Sequence, residues 1–257
     1  HEARRFCNYV NKKLSGQIKD AIGHCYHGIG HGVVDGSDKK SWGSAELLIQ
    51  PGLTACEKVA DGEENLGRCS SGVFNALAVA YTNSDFGLSL DQKNPYAICG
   101  SQRNSYFKKT CYEEMNTAVL NSTGRNFSHA AKFAEAIAEA DYAAMALQSL
   151  AIFASSFVKE RGPENFRDII ASCRSLREHF QLVCLMGFAS GLVEFGPPEK
   201  EYKGALDFCR SGELTERERG LCVWRVLAFA KVMYSKEKIK RICSGLEEQY
   251  KKYCKDA

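Results

Sequence analysis

Apolar positions along this chain recur at helical spacing, and short polar breaks interrupt them. Ile22, Cys25, Tyr26, Ile29 and Val33 fall within roughly 100° of arc on a helical wheel, which predicts an amphipathic helix. A second helical pattern runs from His129 to Phe157. There Phe133, Ile137, Tyr142, Met145, Leu147, Leu150 and Phe153 recur among alanines, with a break expected near Asp141. Turn signals stand between such segments. Ser15-Gly16, Asp61-Gly62 and Ser211-Gly212 each pair a helix-stopping glycine with a residue type that opens helices. Asn83 to Pro95 is a long connection rich in turn formers, and Gly196-Pro197-Pro198 breaks the chain again. A turn flanked by two helical segments predicts an antiparallel hairpin.

The cysteines follow the same punctuation. They fall as Cys7 with Cys25, Cys56 with Cys69, Cys99 with Cys111, Cys173 with Cys184, Cys209 with Cys222 and Cys243 with Cys254, most pairs straddling a turn. Residues equidistant from a hairpin turn face each other at a separation a disulfide can span, so six local bridges are expected. Each closes a loop of about 15 residues and stabilises by roughly 3 kcal/mol in the chain-entropy estimate. First cysteines at 56, 99, 173, 209 and 243 step by 43, 74, 36 and 34, and 74 is two steps of 37. One hairpin without a bridge therefore belongs between Cys111 and Cys173, where the His129 to Phe157 pattern lies. The second cysteine also opens a matching phrase in Cys25-Tyr-His-Gly28-Ile29, Cys69-Ser-Ser-Gly72-Val73 and Cys184-Leu-Met-Gly187-Phe188. The expected fold is all-α: about seven antiparallel helical hairpins in one domain over 1–257, an α-solenoid or superhelical array.

Period, helix pairs and one disulfide per repeat resemble the Sel1/TPR-like superfamily, particularly its secreted cysteine-rich members. The resemblance covers nearly the whole chain. It implies a binding scaffold for a protein or peptide partner and contributes no catalytic residues.

Composition narrows the function classes. Twelve cysteines, an even number, point to an oxidising compartment: secreted, extracellular or periplasmic. With no Cys-x-x-Cys anywhere, zinc ribbons and c-type heme attachment are disfavoured. A net charge of +3 is too weak to imply nucleic acid. No run of about 18 apolar residues is present to span a membrane. No signal peptide precedes the first segment, which reads as a mature or trimmed chain. Phosphate loops, Gly-x-Ser-x-Gly elbows and His-Glu-x-x-His are absent.

The densest candidate chemistry is His24-Cys-Tyr-His27-Gly28-Ile-Gly30-His31-Gly32, which holds three of the six histidines. On a helix His24, His27 and His31 lie within about 60° of arc, away from the Ile22–Val33 stripe. Neutral imidazoles one turn apart can share a transition metal. Zinc would make a hydrolytic site, copper or iron a redox site. Asp35 or Asp38, in the loop that follows, offers an oxygen ligand. The other readings of this face are an exposed polar surface and histidines satisfied by backbone carbonyls. Gly28, Gly30 and Gly32 weaken the helix and suit close approach of another backbone or of a flat ligand. His1, if it is the mature N-terminus, offers an amine and an imidazole to copper. Glu135 and Glu139 form an i, i+4 pair on the helix headed by His129. His179 reads as a surface turn, and Lys236 to Arg241 as a solvated basic face. Asn121 and Asn126 open glycosylation sequons. Two functions stand together: a metalloprotein, and a non-enzymatic helical scaffold.

Overall fold

The computed structural model describes residues 2–18, 20–158 and 166–256, and no strand occurs among them. The first helices are α1 (Glu2–Leu14), α2 (Ala21–Asp35), α3 (Ala45–Val59) and α4 (Glu63–Asn83). After the 84–96 connection come α5 (Ala97–Gly100), α6 (Ser105–Glu114), α7 (Asn116–Ser122), α8 (Phe127–Glu135) and α9 (Ala140–Val158). The rest are α10 (Phe166–Arg174), α11 (Glu178–Glu194), α12 (Glu201–Cys209), α13 (Glu216–Met233), α14 (Lys236–Ser244) and α15 (Tyr253–Asp256). None is long and apolar enough to cross a membrane. His1 lies outside the described residues.

Chain contacts divide the protein into two compact units: His1–Arg125 with Ile137–Met145, and Asn126–Ala136 with Ala146–Ala257. In the first, α2 packs on α1, α3 and α4, and α4 also packs on α6 and α7. In the second, α11 packs on α10, α12 and α13.

All six cysteine pairs are bridged as their spacing predicts, with Cα–Cα separations of 5.2 to 6.1 Å. In the first unit Cys7 is bonded to Cys25, Cys56 to Cys69 and Cys99 to Cys111. In the second Cys173 is bonded to Cys184, Cys209 to Cys222 and Cys243 to Cys254. Cys222 is fully buried on α13, whereas Cys254 is half-buried on α15. The turns fall where predicted, but the Ser-Gly and Asp-Gly pairs do not act as stop and cap: α3 ends at Ala60, and α2 and α13 are capped by Asp20 and Thr215. Asp20 caps α2 by accepting from the Gly23 amide at 3.2 Å. Gly62 precedes α4 at φ +85°, a conformation that favours glycine. Thr215 and Glu218 form a reciprocal capping box at the start of α13. Two pairs depart from a hairpin of full helices. The arm that carries Cys99 is the single turn α5, because the 84–96 connection uses up the residues a full helix would need. The arm that carries Cys254 is the single turn α15.

The unbridged segment is two helices, α8 and α9, separated by 136–139, slightly before the expected break at Asp141. Leu147 and Leu150 are fully buried there. Phe133, Ile137, Tyr142, Met145 and Phe153 are only half-buried. Alanines 130, 131, 134, 143, 146, 151 and 154 supply the rest of the buried surface. The core in this segment is thus built on small residues, with the aromatics at its flanks.

Candidate functional site

The buried face of α2 is Ala21, Gly23, Tyr26, Gly30 and Val34. Ala21, the first helical residue, apart, this face centres near 240° on the wheel, with His27 and His31 at roughly 300° and 340°, on its edge rather than opposite it. The expected stripe is displaced because glycine carries the close packing. Ile22, Ile29 and Val33 are half-buried, whereas Gly30 is fully enclosed. A Cβ on Gly30 would overlap the Cys69 carbonyl oxygen and stand 2.8 Å from the Val73 nitrogen. A Cβ on Gly72 would overlap the His27 carbonyl oxygen. Helices α2 and α4 therefore meet backbone to backbone, and the glycines serve that approach.

Flanking this contact is a polar seam across α2, α4 and α6. The Nδ1 of His27 lies 3.2 Å from Ser71 Oγ, and His31 Nε2 lies 2.9 Å from Asn75 Oδ1. Ser71 donates to Glu114 Oε1 at 2.5 Å, and Asn75 Nδ2 donates to Glu114 Oε2 at 2.9 Å. A carboxylate only accepts, so these directions fix the others. With the Ser71 proton spent on Glu114, His27 Nδ1 must carry hydrogen. The Asn75 oxygen faces His31, so His31 Nε2 must also donate. One carboxylate thus collects the seam, and the second ring nitrogen of His31 reaches Asp35 at 3.4 Å. The two imidazole centroids are 5.7 Å apart. Burial pushes the His27 pKa down; Glu114 opposes this, and His31, His24 and Arg68 add to the lowering. A buried rung, Ser70 Oγ to Thr110 Oγ1 at 3.0 Å, continues the contact between α4 and α6.

This seam is not a catalytic triad. Activating a serine requires an imidazole nitrogen that accepts its proton. Here the imidazole donates to Ser71 instead.

Metal donors do not assemble either. His24 is exposed and lines the groove between α1 and α2, outside the seam. Among the described residues no group of three or more His, Cys, Asp or Glu side chains is placed to hold a metal ion. The expectation of a zinc, copper or iron site on His24, His27 and His31 gains no support, because the seam engages His27 and His31. Asp38 caps the 3₁₀ turn Lys39–Ser41 by accepting from the Lys40 amide at 3.0 Å.

The other candidates are occupied locally. Glu135 pairs with Lys132 and Arg177, and Glu139 pairs with Lys108. The His129 ring lies against Phe133 and the exposed His179 ring against Phe180. In the basic run Lys238 pairs with Glu199 and lies over the Tyr234 ring. The Asn121 amide donates to Thr82 Oγ1 at 3.3 Å, and Asn126 caps α8 by accepting from the His129 amide at 3.0 Å.

Sequence reasoning missed Ser71, Asn75 and Glu114, although a signal was present. Counted from the second cysteine of each pair, Asn75 is at +6 and Glu114 at +3. The second unit repeats this register with different chemistry. Ser190, at +6 on α11, accepts from Arg225 Nε, which stands at +3 from Cys222 on α13, at 2.7 Å. Burial pushes the Arg225 pKa down. Gly187, at +3 on α11, would place a Cβ 2.6 Å from the Gln148 carbonyl oxygen, and Gly191 would overlap that of Ile152.

No family model, no curated protein and no solved structure matches this chain.

Proposed function

We propose that this protein is a non-enzymatic helical-repeat scaffold, of the cysteine-rich Sel1/TPR-like kind, that binds a protein or peptide partner in an oxidising compartment. The repeat reading is supported by glycine at +3 after the second cysteine, which packs against the preceding long helix in both units. The binding reading is carried by one observation. Large apolar side chains stand in solvent on the first helix pair: Phe6 is 61% exposed, Tyr9 59% and Ile18 43%. Single exposed apolar residues are ordinary, but Phe6 and Ile18 line one open groove, and grouped apolar exposure marks interaction surfaces.

The test is selection of peptides from a displayed library on the intact, oxidised protein, with elemental analysis of the same preparation. Enriched peptides should bind saturably to oxidised protein and lose binding when the bridges are reduced. Failure to enrich any peptide, together with stoichiometric bound metal, would replace this reading with the metalloprotein one.

A further inference from the structure

We infer that the cleft between α3 and the 101–104 turn, within the first unit, binds an extended peptide of a partner protein. The peptide carries basic side chains four residues apart, an apolar side chain midway between them and acidic side chains on its alternate face. The assignment rests on the scaffold reading for the class of partner alone, because the site is separate from the groove on the first helix pair.

The cleft encloses about 450 Å³, within the range of ligand pockets. Its floor is apolar: Ile49, Leu53 and Phe107 line it and are buried. One wall is α3. Glu46, Gln50 and Glu57 fall there within about 40° of arc, a stripe that borders Ile49 and Leu53. The other wall is a turn rather than a helix, because the arm that carries Cys99 is the single turn α5. It supplies Gln102, Arg103 and Asn104.

The unspent polar groups suit an extended chain. Gln50 donates its amide to Thr54 Oγ1 at 3.3 Å, and Gln102 donates to the Ile98 carbonyl at 2.9 Å. Each keeps a side-chain oxygen that can accept. Asn104 spends its side-chain oxygen on the Tyr106 amide at 2.9 Å and keeps N–H groups that can donate. A helix arrives with its backbone already hydrogen-bonded to itself, whereas an extended chain brings N–H and C=O groups that need such partners.

Charge sets the pattern along the peptide. Glu46 and Glu57 are both exposed and stand about 16 Å apart along the helix axis. In an extended chain residues i and i+4 share a face at about 13 Å, a difference that lysine side chains span. Residue i+2 then lies over the apolar floor. Residues i+1 and i+3 turn to the other wall, where Arg103 is the charged group. Among the described residues no ion pair engages Glu57 or Arg103. Glu46 accepts from Ser44 Oγ at 3.2 Å and retains its charge for a cation.

The test uses two fluorescein-labelled, end-capped peptides of one composition and no net charge, Lys-Glu-Val-Glu-Lys and Glu-Lys-Val-Lys-Glu, each between glycine spacers. Binding to the full oxidised protein is read by fluorescence anisotropy. The first should bind at least about tenfold more tightly, because only the order of charges separates the two. Glu46→Gln with Glu57→Gln should weaken it at least about fivefold, whereas Glu178→Gln with Glu237→Gln, exposed on α11 and α14, should leave it unchanged. Glu46→Lys, Glu57→Lys and Arg103→Glu together should invert the preference, a gain that misfolding cannot produce. Equal affinity of the two peptides, no saturable signal up to about 500 µM, or a preference that survives the triple change would each overturn the assignment. So would a dimer in sedimentation that the Glu46/Glu57 pair of substitutions dissociates, since the occupant would then be a second copy. Library-selected peptides whose binding ignores that pair would remove the cleft and leave the scaffold reading standing.

Discussion

Alanine substitution at four glycines separates helix propensity from helix contact within one helix pair. In an open helix interior, glycine to alanine gains about 1 kcal/mol. Gly28 and Gly32 sit in open space, so Gly28→Ala and Gly32→Ala should each stabilise by about that amount. For a chain of this length that raises Tm by about 2–4 °C. Gly30→Ala and Gly72→Ala carry the same propensity gain and meet the opposite helix. The new Cβ of each would overlap a carbonyl oxygen, and the backbones must part by about 1 Å to relieve it. A gap of that size forfeits a quarter to a half of each dispersion contact it opens. Overpacking of this kind costs about 1–3 kcal/mol, and here it also pulls on fully buried Tyr26 and Phe74. After the propensity gain is subtracted, net destabilisation should be about 0–2 kcal/mol, a Tm drop of at most about 4–8 °C. Urea midpoints and thermal scans followed by circular dichroism measure all four. Equal effects at the four positions, or stabilisation by Gly30→Ala, would refute the backbone contact between α2 and α4.

Three further outcomes follow from the same structure. Mapping of non-reduced peptides should recover the six sequential pairs, and Cys173→Ala with Cys184→Ala should lower stability by about 3 kcal/mol in urea titration. Leu147→Ala, at a fully buried site in the segment without a bridge, should cost about 2–5 kcal/mol, and Phe153→Ala, half-buried, distinctly less, by the same titration. The depressed pKa of His27 means that the unfolded chain, titrating near the ordinary value of 6.5, takes up the proton more readily than the fold does. Its contribution is therefore complete above about pH 6.5 and declines as pH falls below it. His27→Asn retains a donor toward Ser71 and does not titrate, so its urea midpoint should fall less than wild type between about pH 7.5 and 5.5; parallel declines would contradict this.

The bridges and the turns were legible because they depend on local spacing. A hairpin turn and two equidistant cysteines sit within one stretch of chain, and Asp61-Gly62 or Ser211-Gly212 marks the place directly. The packed face of α2 was not, because a wheel weighted by hydrophobicity assigns glycine no core role. Gly30 is among the most closely packed positions in the helix, yet it lowers every apolar count that includes it. The wheel therefore turned toward Ile22, Ile29 and Val33, and His27 and His31 were set facing open solvent. Their partners lie 39 to 44 residues away from one another, on helices whose relative rotation no single segment states. The alanine-rich face of α9 escaped for a related reason: where Gly187 and Gly191 bring α11 against it, small residues fill the contact and the large ones move to its margin.

The two seams, one around Glu114 and one around Arg225, answer the same packing problem with opposite charges. Where glycine draws two helices together, the positions beside the contact have little room and remain partly wet. Apolar side chains of ordinary size fit poorly there, and a polar group is tolerated only when it is hydrogen-bonded. In the first unit the solution is a carboxylate that accepts from Ser71 and Asn75, with His27 and His31 donating behind them. In the second it is a half-buried guanidinium donating to Ser190, which in turn donates to the Met186 carbonyl at 2.9 Å. The shared +3 and +6 register ties both seams to the helix contact rather than to a reaction. On this argument His27 and His31 are half-buried fittings of the helix contact, and His24, which is exposed, takes no part in it.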